Sequence, residues 1–262
     1  MSGLVQSYGA MESQFREKRT AGRKLLVPYI TGGYPGWQDA VRAAAAGGAD
    51  AIEIGIPFSD PVMDGPIIQQ ASQAALETGA TPVSILQEVR SLDVSIPLAV
   101  MTYYNTVHHA GHERFAAQLA AAGVVAAIVP DLPLEESGPW CAAADAAGIE
   151  TVMLAAPTAP DDRLPRVAAR SRGFVYSVGL LGVTGERTAL AATAAALARR
   201  LKAVTDVPVL IGVGVSNAVQ AREACEVADG VVMGASVVRR LIEGGADAVG
   251  EFVSDVRHSI QH

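Results

Sequence analysis

Three carboxylates in one short stretch are the first sign of chemistry in this sequence. Glu53 interrupts an otherwise apolar run, AIEIG, at 51–55. A carboxylate buried without a partner or water costs on the order of several kcal/mol. Side chains alternate along a strand, so Glu53 points away from the face that carries Ile52 and Ile54. Placed inside a closed sheet, such a carboxyl is a natural general acid/base with a raised pKa. Satisfied by backbone or hydroxyl donors, it would be structural instead. Asp60 and Asp64 follow in IPFSDPVMDGP (56–66), a loop bounded by proline and glycine. Aspartates in such loops commonly serve turns, and Asp64-Gly65-Pro66 also reads as a helix entry. Spacing alone leaves their roles open.

A second kind of chemistry is anion binding by bare backbone. Gly212-Val213-Gly214-Val215-Ser216 and Gly234-Ala235-Ser236 each follow a short apolar run and open a helix-like stretch. Amide groups and the positive end of a helix dipole hold a phosphate without Lys or Arg. A further glycine-rich loop, GLLGVTGER at 179–187, has glycines at both ends. Such a loop can move and can bring amides near an anion.

Other chemistries find little support. None of the three lysines, Lys18, Lys24 and Lys202, lies at the C-terminal end of an apolar run, so no amine stands where a Schiff-base aldolase needs one. His108 and His112 are four residues apart, but no carboxylate joins them in HExxH spacing, and a solvated loop is the simpler reading. Metal: none is expected. Cys141 and Cys225 show no CxxC spacing and read as free thiols. No GxGxxG follows the first apolar run and no Walker pattern occurs. The net charge of −7 does not point to nucleic acid, and the one basic cluster, Arg16, Lys18, Arg19, Arg23 and Lys24, reads as a solvated helix face and strand lead-in. No charge-free apolar run reaches about 20 residues and no secretory signal opens the chain, so a cytoplasmic location is expected.

The elements that must position these groups alternate regularly. Eight apolar runs occur, at 25–31, 51–55, 97–103, 124–130, 150–155, 173–178, 207–212 and 230–234. Continuous hydrophobicity marks strands buried on both faces, hence a parallel sheet. Amphipathic stretches follow at 37–48, 82–92, 111–123, 135–148, 159–171, 189–204, 216–228 and 235–257, and an extra helix near 9–21 precedes them. Eight such units in 262 residues predict an α/β fold, a single (β/α)₈ TIM barrel over 1–262 with an N-terminal helix. A doubly wound open sheet is the competing architecture. In the barrel, active sites lie at the C-terminal ends of the strands, where all the loops above fall.

The run EIGIPFSDPVMDGPIIQ from Glu53 to Gln69 resembles the signature of the tryptophan synthase alpha chain family. PYITGGYP (28–35), MTYYN (101–105), VPDLPLEE (129–136) and GVTG (182–185) resemble further family segments, so the likeness runs from about 25 to 255. Met63 stands where a small Ala is usual, Leu180 and Leu181 where a polar pair is common, Thr106 where Pro is common, and Ala235 where Ser is usual.

The resemblance implies a lyase that cleaves indole-3-glycerol phosphate to indole and glyceraldehyde 3-phosphate in L-tryptophan biosynthesis. With neither Schiff base nor metal, the substrate must supply its own electron sink, and an indole ring protonated at C3 does so. The family's catalytic positions match Glu53 for proton transfer and Asp64 for the anion near the ring N–H. Tyr29, Met101, Tyr176 and Thr184 match positions around the indole pocket. Gly185, Gly214, Gly234 and Ala235 match the phosphate end, where Ser236 could supply the hydroxyl that Ala235 lacks. The family works as an alpha2-beta2 heterotetramer with a beta chain that carries pyridoxal phosphate, and no cofactor is expected in this chain. Pro57 and Asp60 lie where the family meets that partner. Three alternatives stand beside this reading: a stand-alone lyase releasing free indole for secondary metabolism, another sugar-phosphate barrel enzyme such as an isomerase, and a catalytically silent partner subunit.

Overall fold

The eight apolar runs form the strands β1 (Leu25–Thr31), β2 (Ile52–Gly55), β3 (Leu98–Met101), β4 (Ala126–Ile128), β5 (Glu150–Ala155), β6 (Val175–Ser177), β7 (Val209–Ile211) and β8 (Gly230–Met233). The computed structural model describes residues 8–179, 187–212 and 214–261. Each strand pairs in parallel with its sequence neighbour, and β8 closes on β1. This is the TIM barrel, not the open sheet.

The period of two decides what each strand residue faces. Leu25, Val27, Ala51, Ala99, Ala126, Ile128, Val152, Phe174, Leu210 and Val232 form the inner cluster. Alanines on three neighbouring strands leave room for the larger Leu25, Phe174 and Leu210. The alternate residues, among them Ile30, Ile52, Ile54, Val100 and Ile211, pack outward in the cluster that also holds the helices' apolar faces. Burial on both sides explains the unbroken hydrophobicity of the runs.

The expected N-terminal helix is α1 (Ala10–Thr20). It closes the N-terminal mouth of the barrel. Met11 and Phe15 join the inner cluster, with Phe15 6.1 Å from the Phe174 ring. The Glu150 carboxylate accepts the N–H groups of Met11 (2.8 Å) and Glu12 (2.9 Å), a cap supplied by β5 to a helix whose own preceding residue, Gly9, has no side chain to do so. At the same end, buried Asp50 pairs with Lys18, Arg23 and Arg257 and accepts the Leu26 N–H.

Two βα units hold one helix more than the hydrophobic pattern predicts. Between β2 and β3, α2 (Trp37–Ala46) having come before, α3 (Pro66–Glu77) precedes α4 (Pro82–Val89). Pro66 is the first residue of α3, as its place after Asp64-Gly65 suggested. After β3, α5 (Tyr104–Ala110) precedes α6 (His112–Ala121). Seven residues with one buried side chain, Val107, are too few to display a helical period. The chain continues with α7 (Gly138–Ala146), α8 (Arg163–Arg170), α9 (Arg187–Lys202), α10 (Ala218–Cys225) and α11 (Ala235–Ile260). The last is two helical pieces joined at a kink, where Gly245 takes φ 69°. Among the described residues no helix is long and apolar enough to cross a membrane.

Candidate active site

The C-terminal mouth of the barrel gathers residues from β1, β2, β3 and β6. Tyr29 pairs in register with Glu53, and Gly55 with Met101. All four lie on the inward face by the alternation that places Val27 and Ala99 there. Two glycines make space for two tyrosines. A Cβ on Gly55 would sit 1.9 Å from the Tyr29 hydroxyl oxygen, and one on Gly212 would sit 1.9 Å from Cε1 of Tyr176. No other residue fits under either ring. Met101 packs with Tyr29 on one side and with the inner cluster that includes Tyr176 on the other. Ile67 and Ile68 of α3 extend this apolar wall.

Glu53 is 1% exposed, and its Oε2 has no hydrogen-bond partner among the described residues. Burial, and then the charge of Asp64, push its carboxyl up to about 8. A buried carboxyl with a raised value at a barrel mouth is a candidate for acid/base chemistry.

Asp64 is partly buried, and burial raises it to about 6, opposed by its interaction with the Tyr103 hydroxyl. Burial thus raises both carboxyls, Glu53 further than Asp64. Their charges also reach Tyr29 and Tyr176, whose hydroxyls are held well above the usual phenol range, first by burial.

The glycine loops after β7 and β8 come together beside this chamber. Ser236 donates its hydroxyl to the Val215 carbonyl at 3.3 Å. Gly214 takes φ 83°, a left-handed conformation open to glycine. Gly234 is the N-cap of α11, Ala235 is its first residue and exposed, and no side chain caps the helix. Tyr29 and Ile68 lie within 4 Å of where a Gly234 Cβ would be, so the uncapped helix start packs against the residues of the apolar wall. Thr184 and Gly185 lie outside the described residues.

The remaining positions divide. Asp60 is exposed and accepts the Ser59 hydroxyl at 2.6 Å, whereas Pro57 is buried within the chain. His112 contacts the Tyr104 hydroxyl at 3.0 Å, and among the described residues no three His, Cys, Asp or Glu side chains gather as a metal would need. Tyr103 has a larger place than its position in the MTYYN segment suggested. It is 3% exposed, stacks on Phe58 with ring centroids 5.0 Å apart, and accepts the Met63 N–H at 2.9 Å. The pairing joins loops far apart in sequence, so spacing carries no trace of it.

A family model described as tryptophan synthase alpha chain matches residues 15–259. This chain belongs to the tryptophan synthase alpha chain family. The alpha chain of Streptomyces coelicolor is 44% identical over 95% of this chain and 93% of its own length. That of Picosynechococcus sp. is 41% identical over 96% and 99%. Among solved structures, tryptophan synthase of Mycobacterium tuberculosis superposes with a TM-score of 0.89 at 36% identity, covering 98% of this chain and 100% of that one. Tryptophan synthase subunit alpha of Legionella pneumophila gives 0.88 at 28% identity, over 97% and 99%. The family's members are carbon–carbon lyases that cleave indole-3-glycerol phosphate to indole and glyceraldehyde 3-phosphate in tryptophan biosynthesis, and this chain takes that role. The stand-alone lyase, the isomerase and the silent subunit are not favoured.

Proposed function

We propose that Glu53 and Asp64 carry this cleavage between them. The observation that bears most weight is the placing of Glu53, 1% exposed at the C-terminal mouth with no partner for Oε2 among the described residues, where burial and the charge of Asp64 push its carboxyl up to about 8 while Asp64 lies lower, at about 6. Near pH 7 Glu53 is then mostly the neutral acid and Asp64 mostly the anion.

Neutral Glu53 donates its proton to C3 of the indole ring, which becomes an iminium-type cation. Asp64 accepts a hydrogen bond from the ring N–H and stabilises that charge. Ionised Glu53 then takes the proton from the hydroxyl on the adjacent glycerol carbon. The bond from that carbon to C3 breaks, its electrons return to the ring, and the carbon becomes the aldehyde. Indole and glyceraldehyde 3-phosphate result, and Glu53 ends protonated as it began. Each positioned proton transfer contributes roughly 10²–10⁴ in rate. The chemistry runs on the chain's own carboxyls.

Tyr29, Met101 and Tyr176 form the apolar wall for the indole, which also dries the surroundings of Glu53. The amides at Gly214, Gly234, Ala235 and Ser236, with the dipole of α11, receive the phosphate. Thr184 and Gly185 are assigned to the closing loop by sequence likeness.

A beta chain bearing pyridoxal phosphate is the partner, in an alpha2-beta2 heterotetramer in the cytoplasm. Val62 and Met63 are 79% and 39% exposed beside exposed Asp60. Apolar side chains held in water on an active-site loop suit a surface that a partner covers. Pro57, being buried, serves this surface by fixing the course of the loop. The deciding experiment is indole release from indole-3-glycerol phosphate by Glu53→Gln, with and without a beta chain. Release is expected to vanish in both; near-wild-type release would overturn the mechanism.

A further inference from the structure

The segment 57–64 carries Asp64, yet little holds it. Its internal hydrogen bonds, Val62 N–H to Asp60 and Asp64 N–H to Pro61, shape the loop without anchoring it. Gln69 of α3 donates to the Asp64 carbonyl at 2.8 Å. Tyr103 ties the segment to the strand ends: its hydroxyl accepts the Met63 N–H at 2.9 Å and interacts with the Asp64 carboxyl. Phe58, at the start of the same segment, lies on the Tyr103 ring.

Tyr103 is a firm post. The residue before it donates its N–H to the Ile128 carbonyl of β4 at 3.0 Å. The residue after it, Tyr104, donates its N–H to Oδ1 of Asp131 at 2.8 Å. Both neighbours are thus bonded to the next strand and its loop. Because the hydroxyl oxygen accepts from Met63, its own proton is free for another acceptor, and the Asp64 carboxyl is the one with which it interacts.

We propose that Tyr103 is a positioning residue for the lyase reaction, its ring and hydroxyl holding the loop so that Asp64 faces the indole N–H as an anion. This rests on the role given to Asp64 above. Tyr103 acts through Asp64 and the Met63 amide, and no proton passes through it to the substrate.

Tyr103→Phe keeps the stack on Phe58 and removes only the hydroxyl. A hydrogen bond to a charged group, once lost, is expected to lower kcat about 10–100-fold, with KM moved far less. The titration midpoint of the Asp64 side chain, followed by carbon-13 NMR on the full-length protein, should move upward from that of the unaltered protein, because the Tyr103 hydroxyl favours the anion. A merely structural tyrosine would lower the melting temperature and leave that midpoint in place. Phe58→Leu, which weakens the stack but spares the hydroxyl, should move the midpoint less than Tyr103→Phe does; an equal or larger shift would overturn the role given to the hydroxyl. Tyr103→Phe with unchanged kcat or unchanged midpoint overturns the inference, provided Asp64→Asn is inactive. An active Asp64→Asn would instead overturn the underlying assignment of Asp64.

Discussion

Glu53→Gln should gain stability over the unaltered protein as pH rises, while it loses its activity. The carboxyl is 1% exposed and lacks a partner for Oε2, and burial raises it from an ordinary 4.5 to about 8. A carboxyl whose folded value lies above its unfolded one binds a proton on folding. The stability this gives is complete below about pH 4.5 and is lost as pH climbs towards 8. The loss runs at about 1.4 kcal/mol per pH unit, so it reaches roughly 3 kcal/mol at pH 7 and levels off near roughly 5 kcal/mol above pH 8. Glutamine has the same shape and no titration, so it escapes the loss. Its amide brings unmet hydrogen bonds of its own, on the order of 1–3 kcal/mol, but that offset does not change with pH. The slope is therefore the quantity to read. Urea unfolding of both proteins at pH 5, 6, 7 and 8 measures it, every other titrating group being shared. Parallel stability curves would refute the reasoning, because they would mean that Glu53 is solvated or paired in the folded protein.

Three further outcomes are expected. The pH profile of kcat/KM for indole release should rise through about 6, as Asp64 ionises, and fall through about 8, as Glu53 loses its proton; a profile flat from pH 5 to 9 would contradict the assignment. Gly55→Ala sets a methyl 1.9 Å from the Tyr29 hydroxyl oxygen, so Tyr29 must leave its place, at about 1–3 kcal/mol of stability and with a marked loss of kcat, read by thermal melts and indole assays. Ala235→Asp puts a carboxylate on the exposed first residue of α11; competing with phosphate for the helix start, it should raise KM about 10-fold or more while leaving the melting temperature nearly unchanged, and an unaltered KM would remove the phosphate from this helix.

The architecture was legible in the sequence because a barrel strand is buried on both faces. The runs at 25–31 and 150–155 became β1 and β5 at the predicted bounds, and alternation put Glu53 on the face opposite Ile52 and Ile54, while the closed barrel made that face the inner one. Runs such as 207–212 shrank to Val209–Ile211, since hydrophobicity continues into the loop where hydrogen-bonded pairing stops. The helix α5 escaped because a period of 3.6 residues cannot be read from seven. The signature from Glu53 to Gln69 named the family, for such a string of Pro, Gly and Asp at fixed places tolerates few uses.

What the sequence could not decide were relations between distant loops. That Gly55 and Gly212 are the hollows for Tyr29 and Tyr176 depends on strand register, which no local pattern encodes. That Tyr103 holds the Met63 amide, 40 residues away in sequence, depends on β2 and β3 ending side by side. The values of about 8 and about 6 likewise belong to neither residue alone. Residue type gives a carboxyl its ordinary acidity; only the closed barrel, by excluding water from Glu53 and setting Asp64 near it, makes one the acid and the other the anion.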